Sequence, residues 1–316
     1  MSPNSFISGS EPDRPRAYLL HSIALAAAIL GCLAGLNIMV KFRTAGTEAG
    51  SLVAFQQRKL QSSQRIDTLL VGDSSLGDGV SARLFDRLTG HRSLNLALNG
   101  AFGYAGSYNM LRRAWRSHPE IRTVVFMHTA DMMTREADFD GYVRSAPSPD
   151  LLSRDAHAKW EIVKAFVREL FDYHAVTDLL RMIRGEPPLK FAGDYVAQEG
   201  PLPSGADAAV LARDINPDKV YFLAASEEFC LAHNLRCLYA EGPLLDTKLS
   251  KSRPYLAAAH KIIRGTGMPI AVEEPFAVPP AMIGNSEAHI APQFAPISTR
   301  YYAEKLGPWL QAAKAR

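Results

Sequence analysis

Apolar positions along this chain fall into three patterns, and each predicts a different element. From residue 17 to residue 40 the pattern is continuous, with no Lys, Arg, Asp or Glu before Lys41. Roughly 20 apolar residues cross a bilayer, whereas the apolar run of a cleaved signal is about 7 to 15 residues long. The stretch therefore predicts an uncleaved membrane anchor, since a soluble surface helix would be apolar on one face only. Short apolar runs form the second pattern: Leu69, Leu70 and Val71 stopping at Gly72, then residues 95–100, 123–128, 236–240 and 269–272. Such runs suit strands of a parallel sheet covered on both faces.

Helical spacing is the third pattern. It occurs at 81–88 after Ser81, at Tyr108, Leu111 and Trp115, at 217–234, at 254–264 before Gly265 and Gly267, and at 298–313. Strands alternating with helices predict right-handed crossovers and a parallel sheet. The alternation pauses at about 132–213, where Trp160, Val163, Phe166, Val167 and Leu170 predict an amphipathic helix, continued or followed by 176–183, ahead of a Pro/Gly-rich stretch at 185–205. This insertion either caps the carboxyl edge of the sheet or covers the sheet as a peripheral helical pair.

The expected fold class is α/β, a flavodoxin-like three-layer α/β/α domain with a five-stranded parallel sheet, preceded by one transmembrane helix. The organisation follows: a disordered leader at 1–16, the anchor at 17–40, a polar stalk at 41–65, and the α/β domain at 66–316 with its insertion.

Composition narrows the partners. The formal charge of +3 over 316 residues is small, and no basic block with interleaved aromatics occurs, so nucleic acid is not an expected partner. The three cysteines, Cys32, Cys230 and Cys237, contain no Cys-x-x-Cys and the histidines are scattered, so no metal site is expected. The separation of Cys230 and Cys237 permits a disulfide. Arg14 and Arg16 on one flank of the anchor are balanced by Lys41 and Arg43 on the other, so the positive-inside rule does not choose an orientation.

The chemistry-bearing stretch is Gly72-Asp73-Ser74-Ser75-Leu76-Gly77-Asp78-Gly79. A strand, a tight turn and a helix lift a side chain out of the carboxyl edge of the sheet, where open α/β proteins place their sites. Either Ser74 or Ser75 is a candidate nucleophile by this reasoning. At Gly72, Asp73 and Ser74 the sequence resembles the GDSL (SGNH) hydrolase superfamily, and the resemblance assigns the nucleophile to Ser74. It also marks Gly100 as the glycine whose backbone helps bind the oxyanion, with Gly103 a nearby rival, and leaves Asp73 and Ser75 as further oxyanion or substrate-binding candidates. The family's last block has a histidine before the C-terminal helix, and His289 holds that place; a histidine there can serve as general base.

Two positions depart from the family pattern. Ser286 stands where the family has an aspartate, which leaves Glu287 as the nearest carboxylate to orient His289. Ala130 stands where the family has an oxyanion-hole asparagine. The resemblance implies a serine acyltransferase or esterase acting on O-acyl groups of a bacterial cell-envelope or secreted polysaccharide, beside a membrane-bound acyltransferase, with no cofactor. It also implies a single-pass inner-membrane protein with its globular domain in the periplasm. A catalytically silent glycan-binding or scaffold protein is the alternative.

Overall fold

The computed structural model describes residues 14–43, 48–136, 138–146, 156–171, 184 and 201–314. Its centre is a five-stranded, all-parallel sheet in the order β2-β1-β3-β4-β6. The strands are β1 (Thr68–Gly72), β2 (Ser93–Asn95), β3 (Thr123–His128), β4 (Arg236–Glu241) and β6 (Ile270–Val272). A short parallel pair, β5 (Leu244–Leu245) with β7 (Ala277–Val278), lies outside that sheet. The apolar runs at β1, β3, β4 and β6 form strands because both faces are covered, whereas the run expected at 95–100 does not, since β2 ends at Asn95 and 96–100 continue as irregular chain. Leu69, Val71, Val124, Phe126, Cys237 and Tyr239 feed one buried cluster. Leu70, Val125, Met127, Leu238 and Ala240 alternate into another.

The first cluster is shared with helices α5 (Gly103–Ser117), α8 (Tyr221–Ala232) and α10 (Arg253–Gly265). The second is shared with α4 (Ala82–Thr89) and the C-terminal α11 (Ala295–Lys314). Ser81 sits at the N-cap of α4 without a side-chain capping bond; its N–H donates instead to Thr299 Oγ1 of α11 at 3.0 Å. This tie fixes the two helices to each other beneath the site.

N-terminal to the sheet, α1 (Arg14–Arg43) contains the apolar span Ala17–Leu36, long and apolar enough to cross a membrane. The expected leader falls almost wholly outside the described residues. The expected stalk contains α2 (Glu48–Ser62), which is docked on the domain. Leu52, Gln56 and Leu60, spaced by four residues, are buried along one face, and Gln56 Nε2 donates to Ala97 O at 2.6 Å. A face of two leucines and a glutamine reads as polar in sequence, but the amide N–H of the glutamine finds a backbone acceptor on the domain.

In the insertion, α6 (Phe139–Ser145) precedes α7 (Ala156–Leu170). The helix α7 forms where the spacing predicts it but turns a different face inward. Its buried residues are Ala158, Ile162, Ala165 and Glu169, while Trp160, Val163, Phe166 and Val167 are exposed. Two ion pairs with α6 set this rotation, Arg144 Nε to Glu169 Oε1 at 2.5 Å and Arg168 to Asp140 at 2.9 Å. The helix expected at 176–183 lies outside the described residues. Cys230 and Cys237 form a disulfide with Cα atoms 6.1 Å apart, joining the end of α8 to the start of β4.

Candidate active site

Strand β1 ends at Gly72 because no larger residue fits there: a Cβ would collide with the carbonyl oxygen of Met127 on β3. The chain then turns directly into α3 (Ser74–Gly79), with Asp73 as N-cap. Asp73 is buried, and both its carboxylate oxygens are hydrogen-bonded. Its Oδ1 accepts from Ser75 N at 2.9 Å and Ser75 Oγ at 2.6 Å, and its Oδ2 accepts from Thr129 N at 2.9 Å. One carboxylate thus caps the helix and ties it to the loop after β3. Asn95 at the end of β2 holds the other end of α3, its Nδ2 donating to Val80 O at 2.9 Å. Ser74, the first helical residue, is half-buried, and Ser75 is completely buried. The side chains of Asp73 and Ser75 bond each other, and both residues are buried.

Ser74 Oγ lies 2.7 Å from His289 Nε2, across 215 residues of sequence. His289 arrives on the loop between β7 and α11, pinned where Gly284 N donates to His289 O at 2.7 Å and an antiparallel bridge pairs Ile283 with Ile290. The other ring nitrogen, Nδ1, is 2.6 Å from Asn285 Oδ1. An amide oxygen only accepts, so this bond places the imidazole proton on Nδ1 and leaves Nε2 free to accept from the Ser74 hydroxyl. Burial holds the His289 pKa below its usual value, against the opposing pull of the Asp73 and Glu287 charges. The ring is therefore neutral, and competent as a base, at neutral pH.

The carboxylates are arranged differently from the sequence expectation. Glu287 is not bonded to His289. Its Oε1 accepts from Lys248 Nζ at 2.8 Å, because its side chain leaves the loop on the side of α9 (Asp246–Lys251), while its carbonyl accepts from Leu245 N. The residue bonded to Nδ1 is Asn285, and the carboxylate of Asp78 lies beside the same nitrogen, its Oδ2 3.7 Å away. Asp78 is one helical turn after Ser74, so both sit on the same face of α3. Its side chain is 3 % exposed. Its Oδ1 has no hydrogen-bond partner among the described residues. Burial, followed by the Asp73 charge, pushes its pKa up to about 8. The spacing Ser-x-x-x-Asp within one short helix is the signal that could have found it.

Gly100 lies under the guanidinium of Arg135, which a Cβ at that position would strike. Arg135 Nη2 is bonded to Asp131 Oδ1 at 3.1 Å, and both residues come from the short 3₁₀ segment Ala130–Thr134 and its C-cap. The loop that lacks the expected asparagine at Ala130, itself buried, thus delivers an arginine five residues later. Gly103 serves elsewhere: it opens α5 with a positive φ of 49°, packed against the carboxylate of Asp138. Asp138 Oδ2 accepts from Tyr104 N at 2.8 Å, and its Oδ1 pairs with the buried ammonium of Lys219. His128 is a core residue beneath the site, its pKa pushed down to about 4 by burial, with Nε2 2.9 Å from Ser107 Oγ.

Among the described residues, no group of three or more His, Cys, Asp or Glu is arranged to hold a metal ion. Compared with protein-family models, curated proteins and solved structures, the chain has no match, so its chemistry is read from this geometry.

Proposed function

We propose that the chain is an SGNH-type serine acyltransferase or esterase that acts on O-acyl groups of a bacterial cell-envelope or secreted polysaccharide. One observation carries this reading: Ser74 Oγ is 2.7 Å from an imidazole whose Nδ1 is bonded to Asn285. A serine next to a neutral, oriented base at the carboxyl edge of a parallel sheet is suited to nucleophilic acyl transfer. The sheet order, with helices sharing clusters on both faces, supports reading the domain as a flavodoxin-like three-layer fold.

In the proposed reaction Ser74 Oγ attacks the ester carbonyl while its proton passes to His289 Nε2. The tetrahedral oxyanion receives hydrogen bonds from the Ser74 N–H, an orphan donor at the first position of α3, from the Gly100 backbone, and from Arg135 in place of the missing asparagine. Collapse expels the sugar alkoxide, which takes the proton back from His289. The acyl-enzyme then passes its acyl group to a second glycan hydroxyl in transfer, or to water in hydrolysis. Asp78 and Asn285 face the far nitrogen of the imidazole and stabilise the imidazolium.

The Cys230–Cys237 disulfide supports an oxidising compartment for the globular domain. Together with the N-terminal helix it favours a single-pass inner-membrane protein with a periplasmic domain, beside a membrane-bound acyltransferase that supplies or receives the acyl group. The test is fluorophosphonate labelling of the full chain, with deacylation of an acetylated envelope glycan measured alongside. Labelling and turnover that both vanish in Ser74→Ala support the proposal. An unlabelled wild type that still binds the glycan refutes catalysis and leaves the silent glycan-binding or scaffold reading.

A further inference from the structure

Helix α7 has two apolar faces, and the fold uses only one. Ala158, Ile162 and Ala165 are buried toward the domain. Trp160, Val163 and Val167 fall within about 60° of one another at 3.6 residues per turn, with Phe166 beside them, and they point outward. Trp160 is 62 % and Val167 45 % exposed. The outward direction follows from the burial of Ala158, Ile162 and Ala165 on the opposite face, beside which Glu169, itself buried, accepts from Arg144 of α6. A helix at a protein–water boundary needs one apolar stripe, and a second one requires a second apolar phase.

The adjacent element identifies that phase. Helix α1 packs against α7, and α1 carries the apolar span Ala17–Leu36, none of it buried inside the protein. A helix of that length and apolarity, left uncovered over most of its surface, is suited to crossing a bilayer, and α7 is its neighbour. At 3.6 residues per turn, Lys164 borders the Trp160–Val163–Val167 strip on one side, its Nζ 2.5 Å from Glu161 Oε1, and Lys159 borders it on the other, between Val163 and Phe166. An apolar strip that contains a tryptophan and is bordered by basic residues is the composition of a helix lying in the plane of a membrane interface.

We infer that α7 is a second membrane contact, seated with Trp160, Val163, Phe166 and Val167 among the acyl chains of the leaflet surface where α1 emerges. The domain is then held to the bilayer at two points instead of swinging from a single tether. The occupant of the stripe is lipid, and neither a second copy of the chain nor another protein is required.

The test uses the full chain reconstituted in vesicles of phosphatidylcholine and phosphatidylglycerol, with ordinary or brominated acyl chains. Bromine quenches tryptophan only on contact. The chain has three tryptophans, and Trp115 and Trp309 pack against the two core clusters. Brominated lipid is expected to remove about one third of the emission, the share of a single tryptophan, and Trp160→Phe to abolish that loss. Val163→Asp with Val167→Asp is expected to cut the quenching at least about twofold and to open Trp160 to aqueous iodide. Two results overturn the inference: quenching that is the same in wild type and Trp160→Phe, or a Trp160 shielded from iodide without quenching by brominated lipid, which is the signature of protein cover.

Discussion

Replacing Asp78 by asparagine separates a catalytic carboxylate from a structural one, because the two roles predict opposite pH signatures. The unfolded chain releases the Asp78 proton near pH 3.8, whereas in the fold burial delays release to about pH 8. As pH rises through that window the unfolded state is the one that gains, so the native Asp78 lowers stability. At 1.36 kcal/mol per pH unit the penalty grows to about 6 kcal/mol above pH 8 and is absent below about pH 4. Asp78→Asn removes it, so the variant should be more stable than wild type in urea at about pH 8.5, by up to that amount, and equal to it near pH 4. Its activity should move the other way. An ionised Asp78 lies 3.7 Å from Nδ1 of the imidazolium that forms during proton transfer, an interaction of about 4 kcal/mol at an effective dielectric of about 20. If half of that reaches the transition state, kcat rises about 10- to 100-fold as Asp78 ionises. The pH profile of kcat on p-nitrophenyl acetate should therefore climb in two steps in wild type: one below pH 6.5, where burial has lowered the His289 pKa, and one near pH 8. Asp78→Asn should keep the first and lose the second. An equal loss of kcat at pH 6 and pH 9, or a variant destabilised at pH 8.5, would refute this role for Asp78.

Removing the guanidinium in Arg135→Ala should lower kcat about 10²- to 10³-fold with little change in KM if it supplies an oxyanion donor, and Arg135→Lys should restore part of it; steady-state kinetics on the small ester decides. Asp138→Ala strands the buried Lys219 ammonium and uncaps Tyr104 N, so urea unfolding should show a loss of about 3 to 5 kcal/mol, most of it recovered when Lys219→Met is added. Gly72→Ala drives a methyl into the Met127 carbonyl and should unfold at markedly lower temperature, by calorimetry, with a loss of at least about 2 kcal/mol. Cys230→Ala with Cys237→Ala opens a short loop closed by the disulfide and should cost about 2 kcal/mol without changing kcat.

The sequence by itself determined the elements whose pattern is strong and local. The apolar runs at β1, β3 and β4 form strands because each is buried on both faces, and a continuous apolar segment can form only a helix if it is to satisfy its backbone in lipid. The turn after Gly72 and the serine it lifts at the carboxyl edge of the sheet were legible, but the short helix Ser74–Gly79 was not, since Ser-Ser-Leu-Gly-Asp-Gly carries no helical apolar spacing and that spacing begins only after Ser81. Only the tertiary structure decided the partners of those residues. Whether the imidazole of His289 met Glu287, Asn285 or Asp78 depended on the rotation of a loop pinned by Gly284 and on the side from which Lys248 approached, and no spacing in sequence encodes that. The placing of the Arg135 guanidinium over Gly100, where we propose it stands in for the family's asparagine, was hidden because a long side chain reaches that point from a different backbone position. The outward turn of α7 was hidden because periodicity reveals that a helix has an apolar stripe but not which stripe faces the domain. That choice was made by Arg144 and Asp140 on the neighbouring helix, through charges that the pattern of α7 does not contain.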